Sequence, residues 1–489
     1  MTAQTSSTPA GQGVYQLDGG ALGCARLLLL LRNHAARLPD GAVIYLTTTD
    51  PVAPIDLPAW CRMTGHTYLG TVQGPGGPTY AVQVTATPSA HPPRRPVEGR
   101  PMTATPTPEG LHRGPIYLDH NATTPVAPEV LDAMLPYLRD QFGNPSSDHP
   151  VGRAAARAVA AARAQVAALI GADPAEIVFT SGGTESNNLA IRGTASVADP
   201  TRRRIVTTVV EHPATTAPLA HLHAAGWTIT ALPVTSSGTV DAAVAAKELG
   251  PDVALVTMML AQNETGAILP VPTVAAAAQA VGAVMHTDAA QAIGKIEVNV
   301  DALGVDLLSI AGHKCYAPKG VGALYRRAGT SLGPVLLGAG QEGGVRPGTE
   351  NVAGIVALGA ACELASGRLA AETERLACLR HTLWQLLNAA TPGMVRHTPA
   401  DSLPNTLMIS FPDALGRAVL AASPGLAAST GSACHAGQDT PAATLLAMGC
   451  TPEVALGAVR LSLGHATTAT DVSTAATILA TAHTLATAP

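Results

Sequence analysis

This sequence predicts an α/β chain: a large domain on a mostly parallel sheet, a smaller C-terminal domain, and a separate small α+β unit in front. Three observations predict it. From Pro115 onward, short apolar runs alternate with alanine-rich helical stretches, the pattern of a sheet covered by helices on both faces. After Glu350 that alternation gives way to one long helix, a strand over Thr406 to Phe411 and a final helical region. Ahead of both, residues 87–114 carry Pro88, Pro92, Pro93, Pro96, Pro101, Pro106 and Pro108 among arginines and small polar residues, which reads as a semi-extended linker.

The totals bound the function. With 489 residues, 47% hydrophobic and 13% charged, the chain has enough apolar surface for more than one packed core. Aromatics are only 3%, so alanine-dense helices must fill those cores. A net charge of -5 with no basic run gives nucleic acid no electrostatic footprint. The apolar run Leu27 to Leu31 is too short to cross a bilayer, so no membrane association is expected. Met1 to Gln12 is polar and lacks the basic and apolar regions of a signal peptide. Seven cysteines without metal or disulfide-framework spacing fit a reducing cytoplasm.

The N-terminal unit is expected over residues 13–86. Val14 to Leu17 alternates like a strand, Cys24 to Leu38 is helical, and Ala42 to Thr47 and Tyr80 to Val84 are strand-like. Asp56 is placed to cap a second helix with Pro58 in its first turn. In the main body, strands are expected at Ile177 to Thr180, Ile205 to Val210, Val253 to Met258, Ala283 to Asp288, Asp306 to Ile310 and Val321 to Tyr325. The large domain then covers about residues 127–367, and the small one about 115–126 together with 368–489.

Active sites of such sheets gather at the carboxyl ends of the strands, and there the chemistry-bearing residues fall. The chain has four lysines, Lys247, Lys295, Lys314 and Lys319. Lys314 follows the buried strand ending at Ile310, in Gly312-His313-Lys314, where an amine can lose its proton and join a carbonyl. After Ile177 to Thr180 comes Ser181-Gly182-Gly183-Thr184 and a helix start. That is a phosphate cradle, although the same residues also suit an ordinary turn capped by Thr184. His212 follows the next strand and is placed to stack on a cofactor ring or to sit in the core. Asp288 ends a strand, with Gln291 three residues on; its carboxylate suits a protonated pyridine nitrogen or a helix cap. Asn263 lies on the same edge. Phosphate cradle, ring face, ring-nitrogen partner and amine are together what pyridoxal 5′-phosphate (PLP) requires.

Seven motifs carry a resemblance: Tyr117-Leu118-Asp119-His120-Asn121-Ala122-Thr123-Thr124-Pro125, Gly143-Asn144-Pro145-Ser146-Ser147, Thr180-Ser181-Gly182-Gly183-Thr184-Glu185-Ser186-Asn187, Asp288-Ala289-Ala290-Gln291, Gly312-His313-Lys314, Arg346-Pro347-Gly348-Thr349-Glu350-Asn351 and Gly431-Ser432-Ala433-Cys434. Over about residues 115–470 the chain resembles cysteine desulfurases of the NifS/IscS type. The resemblance implies the class V aminotransferase fold, a PLP-dependent transferase acting as a homodimer on L-cysteine. It implies Lys314 as the Schiff-base lysine, His212 on the ring face, Asp288 on the pyridinium and Gln291 on the ring hydroxyl. Gly183, Thr184 and His313 would hold the phosphate, and Thr349 would reach the phosphate of the partner subunit's site. Asn263 would lie near cofactor and substrate, Arg460 would clamp the substrate carboxylate, and Cys434 would be the nucleophile that takes the sulfur. The spacing from Cys434 to Gly449 resembles the long-loop group, which passes persulfide to a downstream acceptor protein. One departure stands in the lysine motif. The family usually has serine two residues before the histidine; here it is Ala311, which removes a phosphate hydrogen bond worth about 1 to 2 kcal/mol.

Leu17-Asp18 to Cys24, Asp50-Pro51 and Asp56 to Cys61 resemble the TusA family of small sulfur carriers, with Cys24 on its persulfide cysteine at a helix start. Ala25 and Leu27 replace the two prolines of the family's Cys-Pro-x-Pro pattern. Cys61, Cys315, Cys362, Cys378 and Cys450 read as packing residues. The resemblances together imply a desulfurase fused to its carrier, with sulfur passing from Cys434 to Cys24. A PLP-dependent lyase or transaminase, which needs no Cys434, and an inactive sulfur-transfer scaffold are the alternatives.

Overall fold

The computed structural model describes residues 13–20, 24–35, 37–50, 53–74, 77–85, 114–431 and 440–487. Two units emerge, Met1–Pro108 and Glu109–Pro489.

The first unit runs β1 (Val14–Gly20), α1 (Cys24–Ala35), β2 (Val43–Thr48), α2 (Ala53–Thr64), β3 (Thr67–Gly74) and β4 (Gly77–Gln83). Its sheet has the order β1-β2-β4-β3. The β1–β2 pair is parallel and the β2–β4 and β3–β4 pairs are antiparallel. Leu27, Leu31, Ile44, Leu46, Leu57 and Val82 close its core, with Cys61 buried among them as a packing residue. Two details correct the sequence expectation. The helix α2 begins at Ala53, so Asp56 and Pro58 lie inside it and Asp56 does not cap it. Strand β3 was not expected, because its threonines and glycines break the apolar alternation. The side chain of Cys24 lies outside the described residues, as do residues 86–113.

In the second unit, β5 (Ile116–Tyr117), α3 (Pro128–Arg139) and α4 (Pro150–Ile170) precede the main sheet. There follow β6 (Ile177–Thr180), α5 (Gly183–Val197), β7 (Arg204–Thr208), α6 (Pro213–Ala224), β8 (Thr228–Leu232), α7 (Ala242–Lys247) and β9 (Val253–Thr257). Next come α8 (Val271–Ala280), β10 (Val284–Asp288), α9 (Val300–Leu303), β11 (Leu307–Ala311) and β12 (Gly322–Arg326). The seven strands stand in the order β6-β12-β11-β10-β9-β7-β8. Neighbours are parallel from β11 through β8, and β12 alone runs antiparallel to both its neighbours. The all-buried strands β9 and β11 show why continuous apolar runs marked this sheet. Each expected strand is present within one or two residues. The addition is β8, an edge strand whose alternating threonines leave it half exposed.

The chain then makes α10 (Val352–Ala390), 39 residues long. By length and hydropathy this helix would suffice to cross a membrane. Its apolar residues are instead divided between two cores. Ile355, Leu358 and Cys362 join the sheet's core, while Leu376, Leu383 and Leu387 join a second one. That second core belongs to a three-stranded sheet of β13 (Val395–Arg396), β14 (Thr406–Ser410) and, after α11 (Gly416–Ala421), β15 (Leu426–Ala427), α12 (Ala443–Ala447) and α13 (Pro452–Leu456), the strand β16 (Ala458–Ser462). Helix α14 (Ala469–Ala486) covers it. Leu118 is buried in this second core, and β5 pairs with β15.

Leu308 is fully buried at the centre of β11. Leu308→Ala is expected to destabilise the fold by about 2 to 5 kcal/mol, read as a lowered urea midpoint in circular dichroism.

Candidate active site

The carboxyl ends of β6, β7, β9, β10 and β11 open on one cleft. Gly183, Thr184, His212, Asn263, Asp288, Gln291, His313 and Lys314 all line it, so eight of the residues singled out by sequence meet in one place. Asn187, Met259 and Ala311, with Ala214, Ala261 and Ala290, complete the wall among the described residues.

Each element delivers its residue for a local reason. At the end of β6 the chain turns through Gly182, whose φ of 145° only glycine adopts readily. A Cβ on the facing Gly322 would stand 2.5 Å from the Ile310 carbonyl oxygen and 2.7 Å from the Gly182 Cα, so Gly322 must stay bare as well. Helix α5 starts immediately after, and no side chain caps it. Thr184 is therefore not a cap but an exposed residue of the first turn, and the free amide groups there form an anion site at the cleft wall. The Glu185 carboxylate is kept away from it, accepting from Ser181 N at 2.7 Å and pairing with Arg346 at 2.8 Å.

Lys314 sits on a single 3₁₀ turn, Gly312–Lys314, directly after β11. Its Nζ donates to the carbonyls of Asn121 and Ala122. Desolvation, with the repulsion of Arg460, brings its pKa down to about 8, against the pull of Asp288 and Asp119. Desolvation and the neighbouring Lys314 and Lys319 hold His313 near 4, and its Nδ1 lies 3.1 Å from Thr123 Oγ1. His212 N-caps α6, accepting from Ala214 N at 3.1 Å, with its pKa lowered by desolvation and then by Lys314.

Among the described residues Asp288 is the one carboxylate in the cleft lining. It accepts from Asn187 Nδ2 at 2.7 Å and from Ala290 N at 2.9 Å. Behind it, Glu211 Oε1 accepts from Thr208 Oγ1 and Met259 N while Oε2 is shut off from solvent without a partner. Burial pushes this carboxyl up to about 8, which keeps it protonated at neutral pH.

Arg460 and Thr349 are not part of the cleft lining. Arg460, on β16, is 5% exposed; it pairs with Asp119 at 2.7 Å and donates to the Asn263 carbonyl at 2.9 Å. Thr349 is exposed on the loop before α10. Cys434 lies outside the described residues. Ser309 does not make up for Ala311: its hydroxyl is buried against His286 Nε2 at 3.0 Å, while Ala311 itself faces Gly183. Cys315 and Cys362 are buried core residues, as expected; Cys378 is exposed and Cys450 partly so.

Sequence reasoning assigned no role to Asn121 or Lys295, and no local signal could have done so. Asn121 meets Gln291, Lys295 and Lys314, which lie 170 or more positions further along the chain. Among the described residues no cluster of metal-ligating side chains forms. The residues present do fit PLP. An amine of lowered pKa, a carboxylate bonded to Asn187, an uncapped helix start and an unpartnered buried oxygen, Asn187 Oδ1, face one cleft.

Comparison with known proteins gives the same picture. The description of the aminotransferase class-V family matches residues 116–474. The cysteine desulfurase of Nostoc sp. strain PCC 7120 is 46% identical over 356 residues, 72% of this chain and 89% of that protein. Among solved structures, a NifS-like protein superposes with a TM-score of 0.71 at 35% identity, covering 76% of this chain and 99% of its own. A structure of SspA in complex with cysteine superposes with a TM-score of 0.64 at 34% identity, covering 71% and 98%. Members of this family are generally PLP-dependent.

The lowered pKa of Lys314 has a direct readout. Only the uncharged amine is a nucleophile, and a pKa of about 8 leaves roughly a tenth of it uncharged at neutral pH. Reductive methylation of the cofactor-free chain, followed by peptide mass spectrometry across pH, is expected to modify Lys314 half-maximally near pH 8. A midpoint near that of an ordinary lysine contradicts the reading.

Proposed function

Since the chain belongs to the aminotransferase class-V family, and within it to the cysteine desulfurases, we propose that it holds PLP in the cleft around Lys314 and takes sulfur from L-cysteine onto Cys434. The observation that carries this reading is the meeting of the Lys314 amine, the Asp288 carboxylate and the open start of α5 in one cleft. Gly183, Thr184 and His313 would hold the phosphate, Asp288 would partner the ring nitrogen, Gln291 the ring oxygen and His212 the ring face, and Asn263 would lie near cofactor and substrate. When bound, the cofactor supplies an electron sink for the substrate's α-carbon.

Lys314, in its neutral form, takes and returns the proton at that carbon. Arg460 receives the substrate carboxylate, exchanging the Asp119 carboxylate for it; a planar guanidinium suits two oxygens at once. The Cys434 thiolate attacks the substrate sulfur. A sulfur–sulfur bond forms as the Cβ–S bond breaks, the electron pair stays with carbon, and carbon takes a proton to become the methyl group of L-alanine. No outside oxidant or reductant enters.

The persulfide then passes to an acceptor. In this reading the Cys24 thiolate attacks the outer sulfur, Cys434 leaves as thiolate, and residues 87–114 tether the carrier so that its effective concentration reaches about millimolar. The βαβαββ order of the N-terminal unit supports a TusA-like carrier. A homodimer in which Thr349 completes the partner subunit's site is supported by exposed apolar residues. Leu131, Leu135 and Leu138 share one face of α3, and Leu337 is 89% exposed. Buried free thiols at Cys61, Cys315 and Cys362 suit a reducing cytoplasm.

Cys434→Ser is expected to keep the visible absorbance of bound cofactor while abolishing both the protein persulfide and alanine formation. Mass spectrometry of the thiols after one turnover with L-cysteine measures this, and alanine formed at the wild-type rate sinks the mechanism. Persulfide seen on Cys434 but never on Cys24 removes the relay alone. Arg460→Lys, which loses the paired guanidinium contact, is expected to raise KM for L-cysteine roughly tenfold to a hundredfold.

A further inference from the structure

Lys295 is a buried amine that the proposed reaction does not use. It is 8% exposed and forms no ion pair among the described residues. Its Nζ lies 2.7 Å from Gln291 Oε1 and 3.1 Å from Asn121 Oδ1. The charged groups that face it are Lys314 and Arg460, both repelling, with the Cys315 thiol opposing them; burial first, and then those cations, hold its pKa well below the usual lysine range. His120, whose ring Nδ1 is buried without a partner, shares a small internal cavity with it. A lysine buried without a carboxylate partner costs stability. Its hydrogen bonds are what it contributes in return.

Those bonds decide which way two amides point. Gln291 Nε2 lies 3.0 Å from the Asn121 carbonyl, which only accepts, so the nitrogen is on that side and Oε1 faces Lys295. Asn121 Nδ2 likewise faces the Asn263 carbonyl, and its Oδ1 accepts from Lys295 and from Asn405 Nδ2. Lys295 is thus the donor that satisfies Gln291 Oε1. Without it that oxygen is buried and unpaired, while a turned amide would set Oε1 against the Asn121 carbonyl, so the side chain loses its one fully bonded orientation. Gln291 lines the cleft, and the second N–H of its amide meets no acceptor among the described residues.

We propose that Lys295 is a positioning residue: it locks the Gln291 amide so that its free N–H points into the cleft, making Gln291 an obligate donor to an oxygen of the bound cofactor. The inference rests on the reading of the cleft as a PLP site. A donor on that ring oxygen draws off its negative charge, so the neighbouring nitrogen contributed by Lys314 holds its proton less tightly.

The test is a pH titration of the visible absorbance of the holoenzyme. Lys295→Met and Gln291→Met are each expected to raise the midpoint by about one pH unit, a tenfold gain in proton affinity. The double variant is expected to rise no further than Gln291→Met alone, because Lys295 acts through Gln291. Lys295→Met with the wild-type midpoint overturns the proposal, as do additive shifts, which would mean a direct charge effect. Should Lys295→Met fail to fold, the double variant removes both buried partners together. A midpoint above that of Gln291→Met, or Gln291→Met titrating like wild type, then overturns it. If wild-type protein shows no visible band with PLP, the cofactor reading fails instead, which is a different result.

Discussion

Asn121 is 1% exposed, and each of its polar atoms is joined to a different part of the chain. Its amide N–H donates to Ser462 Oγ, and its side-chain nitrogen to Thr406 Oγ1 and the Asn263 carbonyl. Its carbonyl accepts from Lys314 and Gln291, and its side-chain oxygen from Lys295 and Asn405. Thr406 and Ser462 belong to the small sheet and Asn405 directly precedes it; Gln291, Lys295, Lys314 and Asn263 lie on the segments that follow β10, β11 and β9 of the large one. One fully satisfied residue therefore sets the height of the small core against the cleft. A half-satisfied network at this position would cost more than an apolar contact, so the segment after β5 must enter in one register.

Around that anchor burial keeps several titratable groups uncharged. Burial holds His120, His286 and His313 near 4 and pushes Glu211 up to about 8, so at neutral pH all four are neutral. Beside them stand the Arg460–Asp119 ion pair and the Asp288 carboxylate. Each remaining charge then acts in surroundings with few competing ions, where its effect on a neighbour is largest. The Lys314 pKa follows from this arrangement: desolvation and Arg460 lower it, and the two aspartates only partly restore it.

Much of this was legible in advance, and the boundary is physical. Strands buried on both faces are continuous apolar runs, and polar residues just beyond their ends are conspicuous; that is why Lys314, Asp288 and His212 could be assigned to one edge. Edge strands carry no such mark: β3 and β8 are threonine-rich and half exposed, and were missed. The start of α2 was misread because Asp56 looks like a cap whether or not the helix has already begun. The roles of Asn121 and Lys295 exist only as distances between segments far apart in sequence, and residue type alone could not state them.

The pairing of Arg460 with Asp119 shows how the small domain can serve a substrate without first exposing a charge. A guanidinium this buried needs a carboxylate, because breaking a buried pair leaves an uncompensated ion. Asp119 supplies one at 2.7 Å, from a side chain that is itself partly exposed and so pays little to turn toward water. An incoming carboxylate then replaces a carboxylate, and the cation is paired before and after. An amine without a carboxylate has nothing to exchange and leaves Asp119 where it is. Preference for an amino acid thus follows from the residue that occupies Arg460 beforehand as much as from Arg460 itself.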